Sequence, residues 1–368
     1  MSKSNSLRSI AACARADREA PAVAAVVRPR AAALAILLAL VAAGPAAAQD
    51  DVSPPQLVDR TEPDAPRTRF GAPLEGWVKV RYSVLANGTT ADIRVVEAMP
   101  PQLDSRAAAA VVKEWRFSPA TVGGQAVDWH NNESTIVFDA ENIPLEPSPM
   151  FAAAYVEIAE LMSAEEYDKA KKQNDALLER QTVRLSEIGL VQAQAAMLHL
   201  ATSNMHDAYD AIRRATDPEV TTLDAAQLAD ALQYRFAIEV ELGRYQSSLE
   251  TFDRLDALAE LPDDNAVKVN ANRVREALQT GAAIPVKGRV AREPWSYAPS
   301  RRTFGFSGVD GTIRGVELEC DRRKTQLEYA ADVEWSIPES WGECMLFVDA
   351  RRDTTFTIIE FATAAAEQ

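Results

Sequence analysis

The chain has 368 residues, 47% of them hydrophobic and 25% charged, which is enough apolar content for two or three domains with cores of their own. Its 54 Asp plus Glu exceed its 39 Lys plus Arg, for a formal net charge of −15. Such an acid surplus excludes nucleic acid and anionic lipid as partners, since both are held through Lys and Arg that displace counterions.

The first 48 residues read as an export signal. Arg28 and Arg30 precede an apolar run from Ala31 to Ala43, and Gly44-Pro45 leads into Ala46-Ala47-Ala48. A basic flank, an apolar core and an Ala-x-Ala end are the three parts of a secretory signal peptide, with cleavage expected after Ala48. The alternative is an uncleaved inner-membrane anchor facing the periplasm, which would be the chain's one membrane contact. Crossing a bilayer takes about 20 apolar residues, and Gly44-Pro45 interrupts the run before that. Cleavage would leave 33 Lys plus Arg against 52 Asp plus Glu in a periplasmic protein, and would remove Cys13. Cys320 and Cys344 would then be the remaining thiols in an oxidising compartment, at the ends of neighbouring predicted strands. They read as one structural disulfide, which would stabilise its domain by roughly 3 kcal/mol.

Residues 49–72 are rich in Pro, Asp and Arg, with Pro54-Pro55, Pro63 and Pro66 along them, and are expected to run as an extended lead-in. A ββαβ unit follows over residues 73–142. Val78, Val80, Tyr82 and Val84 alternate with polar residues, the pattern of a strand with one face on a core. Asn87-Gly88 suits a two-residue hairpin turn, and Ala91 to Val96 returns antiparallel. After Pro100-Pro101, Leu103, Ala107, Ala110 and Val111 recur at helical spacing. Trp115-Arg116-Phe117-Ser118-Pro119-Ala120 and Gly123-Gly124 end that helix, and Ser134 to Phe138 supplies a third strand.

In this order, Glu75-Gly76-x-Val78, Asn87-Gly88, Leu103-Asp104-x-x-Ala107, Trp115-Arg116-Phe117-x-Pro119-Ala120 and the Gly124-x-x-Val127 step resemble the C-terminal domain of the TonB family. The likeness runs from about residue 63 to about residue 140. It implies a three-stranded antiparallel sheet with a helix, and a periplasmic setting beside outer-membrane transport. It also implies capture of an extended peptide, such as a segment of an outer-membrane receptor, by strand addition to the last strand. The peptide-binding edge carried over in this way is Ser134, Thr135, Ile136, Val137, Phe138 and Asp139.

Ile143 to Pro149 forms a linker, and residues 150–280 are rich in Ala, Leu, Glu and Gln and read as helices. Breaks fall at Met162-Ser163, Thr202 to Asn204, Asp217-Pro218 and Leu242-Gly243. Tyr167, His206 and Tyr245 are spaced 39 residues apart, each just inside the second helix of a pair, so an array of helical hairpins is expected. The third, with Leu242-Gly243-Arg244-Tyr245 at its turn and Leu249, Phe252 and Leu255 after it, resembles a tetratricopeptide repeat. Val267 to Thr280 would cap the array. Residues 285–363 carry short β-rich runs, namely Arg302 to Phe306, Thr312 to Cys320, Thr325 to Tyr329, Asp332 to Ile337, Glu343 to Asp349 and Thr354 to Phe361. They predict a small all-β domain with Trp295, Trp335 and Trp341 at its core and corners.

Signs of catalysis are sparse. His130, His199 and His206 lack the spacing that puts two imidazoles on one metal, and no Gly-x-Ser-x-Gly elbow or phosphate loop occurs. The acidic pairs Asp50-Asp51, Glu165-Glu166 and Asp263-Asp264 fall at helix starts or in linkers. The sequence therefore reads as a multidomain, noncatalytic envelope protein without cofactor or metal that binds a protein or peptide. An anchored TonB-family energy transducer is the first alternative, although the lead-in is short for a stalk across the periplasm. An envelope hydrolase or carbohydrate-binding protein with its site in the β-rich domain is the second.

Overall fold

The computed structural model describes residues 51–362, apart from 65, 68–70, 72, 73, 102, 104, 140–145, 181–183, 292, 293 and 332. The expected signal peptide, with Cys13, lies outside the described residues. The lead-in is extended, but it folds back as two short strands, β1 (Val52–Ser53) and β2 (Gln56–Asp59), whose partners follow the first helix.

β3 (Gly76–Val84) and β4 (Thr90–Met99) form the predicted antiparallel pair. Their connection differs from a two-residue turn. Leu85 N–H donates to the Thr89 carbonyl and Gly88 N–H to the Leu85 carbonyl, leaving a three-residue loop of Ala86, Asn87 and Gly88. Gly88 takes the left-handed position, φ +79°, that such a loop requires. The Asn87 carboxamide oxygen accepts from Thr89 N–H and completes the turn.

α1 (Ser105–Val112) lies on one face of this hairpin. It presents Ala108, Val111 and Val112 to the sheet, while Ala110, placed on the buried side by the sequence pattern, is exposed. A slip of one position explains the difference, because the i, i+3, i+4 stripe starts from Ala108. The chain then makes β5 (Arg116–Ser118), β6 (Ala120–Val122) and β7 (Gln125–Val127) before β8 (Trp129–Phe138). β2 pairs with β5 and β1 with β6, so the lead-in is stitched onto the segment after α1. Trp115 explains why. Its ring is buried edge-on to Tyr82, and its indole N–H donates to the Thr61 carbonyl at 2.9 Å. Arg116 reaches back to the Glu114 and Trp115 carbonyls at 2.9 and 2.8 Å, just past the end of α1. β8 pairs with β3, giving a three-stranded antiparallel sheet in the order β4-β3-β8.

The helical region follows as α2 (Pro149–Ser163), α3 (Tyr167–Leu178), α4 (Leu185–Ala201), α5 (Met205–Ala215), α6 (Ala225–Glu241), α7 (Tyr245–Ala259) and α8 (Ala266–Gln279). Starts are set by local chemistry. Ser148 accepts from Phe151 N–H ahead of Pro149, and Asp224 and Gln227 form a reciprocal capping box on α6. Consecutive helices pack in pairs, joined through shared clusters such as Phe151, Ile158, Ala170, Leu177, Val191 and Leu198. Phe236, Phe252 and Ala271 seat α8 on α6 and α7.

Among the described residues that follow are eight strands: β9 (Ile284–Arg289), β10 (Trp295–Tyr297), β11 (Thr303–Asp310), β12 (Ile313–Cys320), β13 (Arg323–Leu327), β14 (Glu334–Ser336), β15 (Cys344–Ala350) and β16 (Thr355–Phe361). They form two four-stranded antiparallel sheets, β10-β15-β12-β13 and β14-β11-β16-β9, over one core of Tyr297, Phe304, Leu318, Leu346, Phe356 and neighbours. β9 and β10 extend this region beyond the runs the sequence picks out. Trp295 is buried in the core, with Trp335 and Trp341 packed at its margin. Cys320 and Cys344 form a disulfide between the last residue of β12 and the first of β15. The described residues all belong to one compact unit.

At Gly88 a Cβ would stand 2.1 Å from the Phe117 carbonyl oxygen, on top of the cost of a left-handed φ for any L side chain. Gly88→Ala is expected to destabilise the protein by about 2 kcal/mol or more. A lowered denaturation midpoint at unchanged slope is the result to look for.

A candidate protein-docking edge

β3 has both faces buried, so its polar residues need partners inside the molecule. Val78, Val80, Tyr82 and Val84 face α1 and join Leu103, Val112, Ile136 and Phe138 in a core. The opposite face carries Trp77, Lys79, Arg81 and Ser83, which the sequence pattern alone would leave in solvent. Trp77 instead packs with Met99, Ile188 and Val220, fixing the sheet to the helical region. Lys79 Nζ lies 2.6 Å from Asp217, just past the end of α5, and 3.6 Å from Glu133 on β8. Arg81 pairs with Glu133 and with Glu319 on β12, each at 3.2 Å, and donates to the Asn131 carboxamide oxygen at 2.6 Å.

Beside it, Arg94 on β4 pairs with Glu317 at 3.3 Å and Glu319 at 2.5 Å, and Lys324 on β13 holds the same two carboxylates. Arg81 and Arg94 both lie over the Phe347 ring, at 5.0 and 4.4 Å from its centroid. These contacts dock the β-rich region on the sheet face. Glu97 on β4 makes the equivalent link to α5. Burial by itself would raise its carboxyl, but the guanidinium groups of Arg213 and Arg214 outweigh this and bring it down to about 2. Arg213 reaches both carboxylate oxygens, at 2.8 and 2.9 Å, and Arg214 reaches one.

With its face covered, the sheet offers its outer strands. Ser134 is bonded to the Tyr82 hydroxyl at 2.9 Å, and Ile136 and Phe138 are buried in the core. Thr135 donates its hydroxyl to Glu219, and Val137 and Asp139 are exposed. At the start of β8, His130 N–H donates to the Asp321 carbonyl at 2.8 Å, so the turn between β12 and β13 closes that end of the edge. From Glu133 to Phe138 the backbone edge pointing away from β3 has no backbone partner among the described residues. No signal in the sequence marks Asp321, which is nearly 200 residues from His130.

Chemistry beyond docking is weakly provided for. Ser83 Oγ lies 3.1 Å from His130 Nδ1 and 3.3 Å from Asp92, but the serine sits between the other two, and among the described residues no carboxylate is bonded to the imidazole. The Ser83 hydroxyl is also on a buried strand position. Burial, followed by the charges of Arg244 and Arg289, pulls the His206 imidazole down to about 4 and keeps it neutral. Among the described residues no group of three or more His, Cys, Asp and Glu could hold a metal ion, and no helix is long and apolar enough to cross a membrane. An open depression on the outer side of α2 is lined by Tyr155, Val156, Ala159, Glu160, Ser163 and Ala164, which supply a single carboxylate and no base to face it.

Residues 71–139 match the family model described as Gram-negative bacterial TonB protein C-terminal. Protein TonB of Yersinia enterocolitica is 30% identical over 84 residues, covering 23% of this chain and 30% of that protein. Protein TonB of Pseudomonas aeruginosa is 34% identical over 65 residues, covering 18% of this chain and 19% of that protein. Less than a third of the length of either relative is therefore spanned. A solution NMR structure of the Pseudomonas aeruginosa TonB C-terminal domain is similar at 27% identity, over 25% of this chain and 92% of that one, with a TM-score of 0.22.

The Glu97 ion pairs give a pH test. A carboxyl held near 2 in the fold and at its ordinary 4.5 when unfolded adds stability that is complete above pH 4.5 and lost as the pH falls toward 2. Glu97→Gln should flatten that acid limb of the stability curve, and Glu97→Ala should cost about 3 kcal/mol at neutral pH by leaving two partly buried arginines unpaired. Urea midpoints measured across the acid range check both.

Proposed function

From the TonB C-terminal domain at residues 71–139, we propose that this is a noncatalytic, exported protein of the bacterial periplasm that binds a protein or peptide partner in support of transport or assembly. The partner adds as a strand to the outer edge of β8 over residues 134–139. An unpaired strand edge supplies a row of backbone donors and acceptors, and an extended peptide satisfies them with little demand on its sequence. The observation that carries this reading is the stretch from Glu133 to Phe138, left without a backbone partner among the described residues in a sheet whose faces are otherwise occupied. Support also comes from the shape of the rest. The helical region, read as tetratricopeptide-like, offers a second surface for a protein, and the β-rich region acts as a brace against the sheet.

A photo-crosslinking residue placed at exposed Val137, with one at exposed Leu258 on α7 as control, tests the edge in a periplasmic extract. The expected outcome is a defined adduct from the Val137 position that the Leu258 position does not give. Equal labelling at both, or none at either, would remove the reading.

A further inference from the structure

We infer that the segment taken up at the β8 edge is basic: an extended peptide with Lys or Arg at alternate positions. This rests on the strand-addition reading above and adds the chemistry of the partner. Successive residues on a strand point to opposite faces, so an added strand places every second side chain beside Glu133, Thr135, Val137 and Asp139. Of these, Glu133, Val137 and Asp139 are exposed, and Thr135 holds the exposed carboxylate of Glu219 in place.

Where the edge ends, the Asp321 carboxylate accepts from Glu343 N–H at 2.9 Å and the Glu343 side chain is in solvent. Five carboxylates, those of Glu133, Asp139, Glu219, Asp321 and Glu343, therefore border a stretch about seven residues long. The two cations paired with Glu133 are already held. Lys79 and Arg81 are 11% and 5% exposed and lie under the sheet in pairs with Asp217, Glu319 and Glu133, whereas Glu133 itself is 40% exposed. Arg322, next to Asp321, donates to the Ser340 and Glu339 carbonyls. Of the side chains named here, those exposed are the carboxylates of Glu133, Asp139, Glu219 and Glu343, in keeping with the acid surplus of the whole chain.

The test measures binding of capped, fluorescent peptides of about seven residues to the full chain by anisotropy. One alternates lysine and valine, one glutamate and valine, and one lysine and glycine. The lysine–valine peptide should bind roughly tenfold more tightly than the glutamate–valine peptide at low salt, with the gap closing at high salt. Glu219→Gln combined with Asp139→Asn should narrow the gap to roughly threefold, since each exposed charge contributes modestly. If the glutamate–valine peptide binds equally or better, the charge inference is overturned and the edge reading stands. If neither valine-containing peptide binds, the edge reading itself falls. Binding of the lysine–glycine peptide as tight as that of the lysine–valine peptide would reduce the contact to loose charge attraction and overturn the inference as well.

Discussion

The structure depends on a strand that is buried on both sides while carrying two cations. Lys79 and Arg81 cannot be taken from water without partners, because the desolvation cost of an unpaired buried charge exceeds most single favourable contacts. Their partners come from three separate parts of the chain: Glu133 from the same sheet, Asp217 from the end of α5 and Glu319 from β12. A buried ion pair adds little net stability over a well-packed apolar pair, but it penalises every arrangement in which it is not made. Glu97 with Arg213 and Arg214 repeats the device on the neighbouring strand. The charges on this face therefore select one seating of the helical and β-rich regions on the sheet, and Trp77 and Phe347 supply the apolar contact beside them.

Much of the architecture was legible because it is written locally. The β3–β4 pair, α1 and β8 follow from alternation and spacing, and the helix breaks from Ser163, Asn204 and Gly243. The 39-residue interval between Tyr167, His206 and Tyr245 places each of them at the first turn of α3, α5 and α7. What escaped is what depends on distant residues or on very short elements. Strands of two to four residues, such as β1, β2 and β5 to β7, are too brief to show a period, and their pairing is set by Trp115 and the chain return. Lys79 and Arg81 look like ordinary outward-facing positions, and only their partners more than a hundred residues away reveal otherwise. The residues of the candidate edge could be read as an alternating strand, but its limit at Asp321 could not.

An open strand edge is also a hazard, since it can pair with another copy of itself. The carboxylates along β8 act against that. Two such edges brought together would oppose Glu133, Asp139 and Glu219 with like charges across the new pair, which is unfavourable in a sheet. The same side chains that would shape what the proposed edge accepts thus oppose pairing between two copies of the molecule.

The turn between α6 and α7 carries a different consequence. Gly243 stands so close to β9 that a Cβ would be 2.0 Å from the Pro285 carbonyl oxygen, and the Leu242 carbonyl accepts from Lys287 N–H at 2.9 Å. Arg244 extends from the same turn across Tyr209, Trp295 and Tyr297, within 4.4 to 5.3 Å of each ring centroid. Stacked helical hairpins left free along their length behave as a spring, tightening or relaxing their superhelix around whatever they hold. Pinned at this turn and again at Glu97 and Asp217, the stack has its curvature fixed in advance, so a partner taken up there would have to match its shape instead of moulding it.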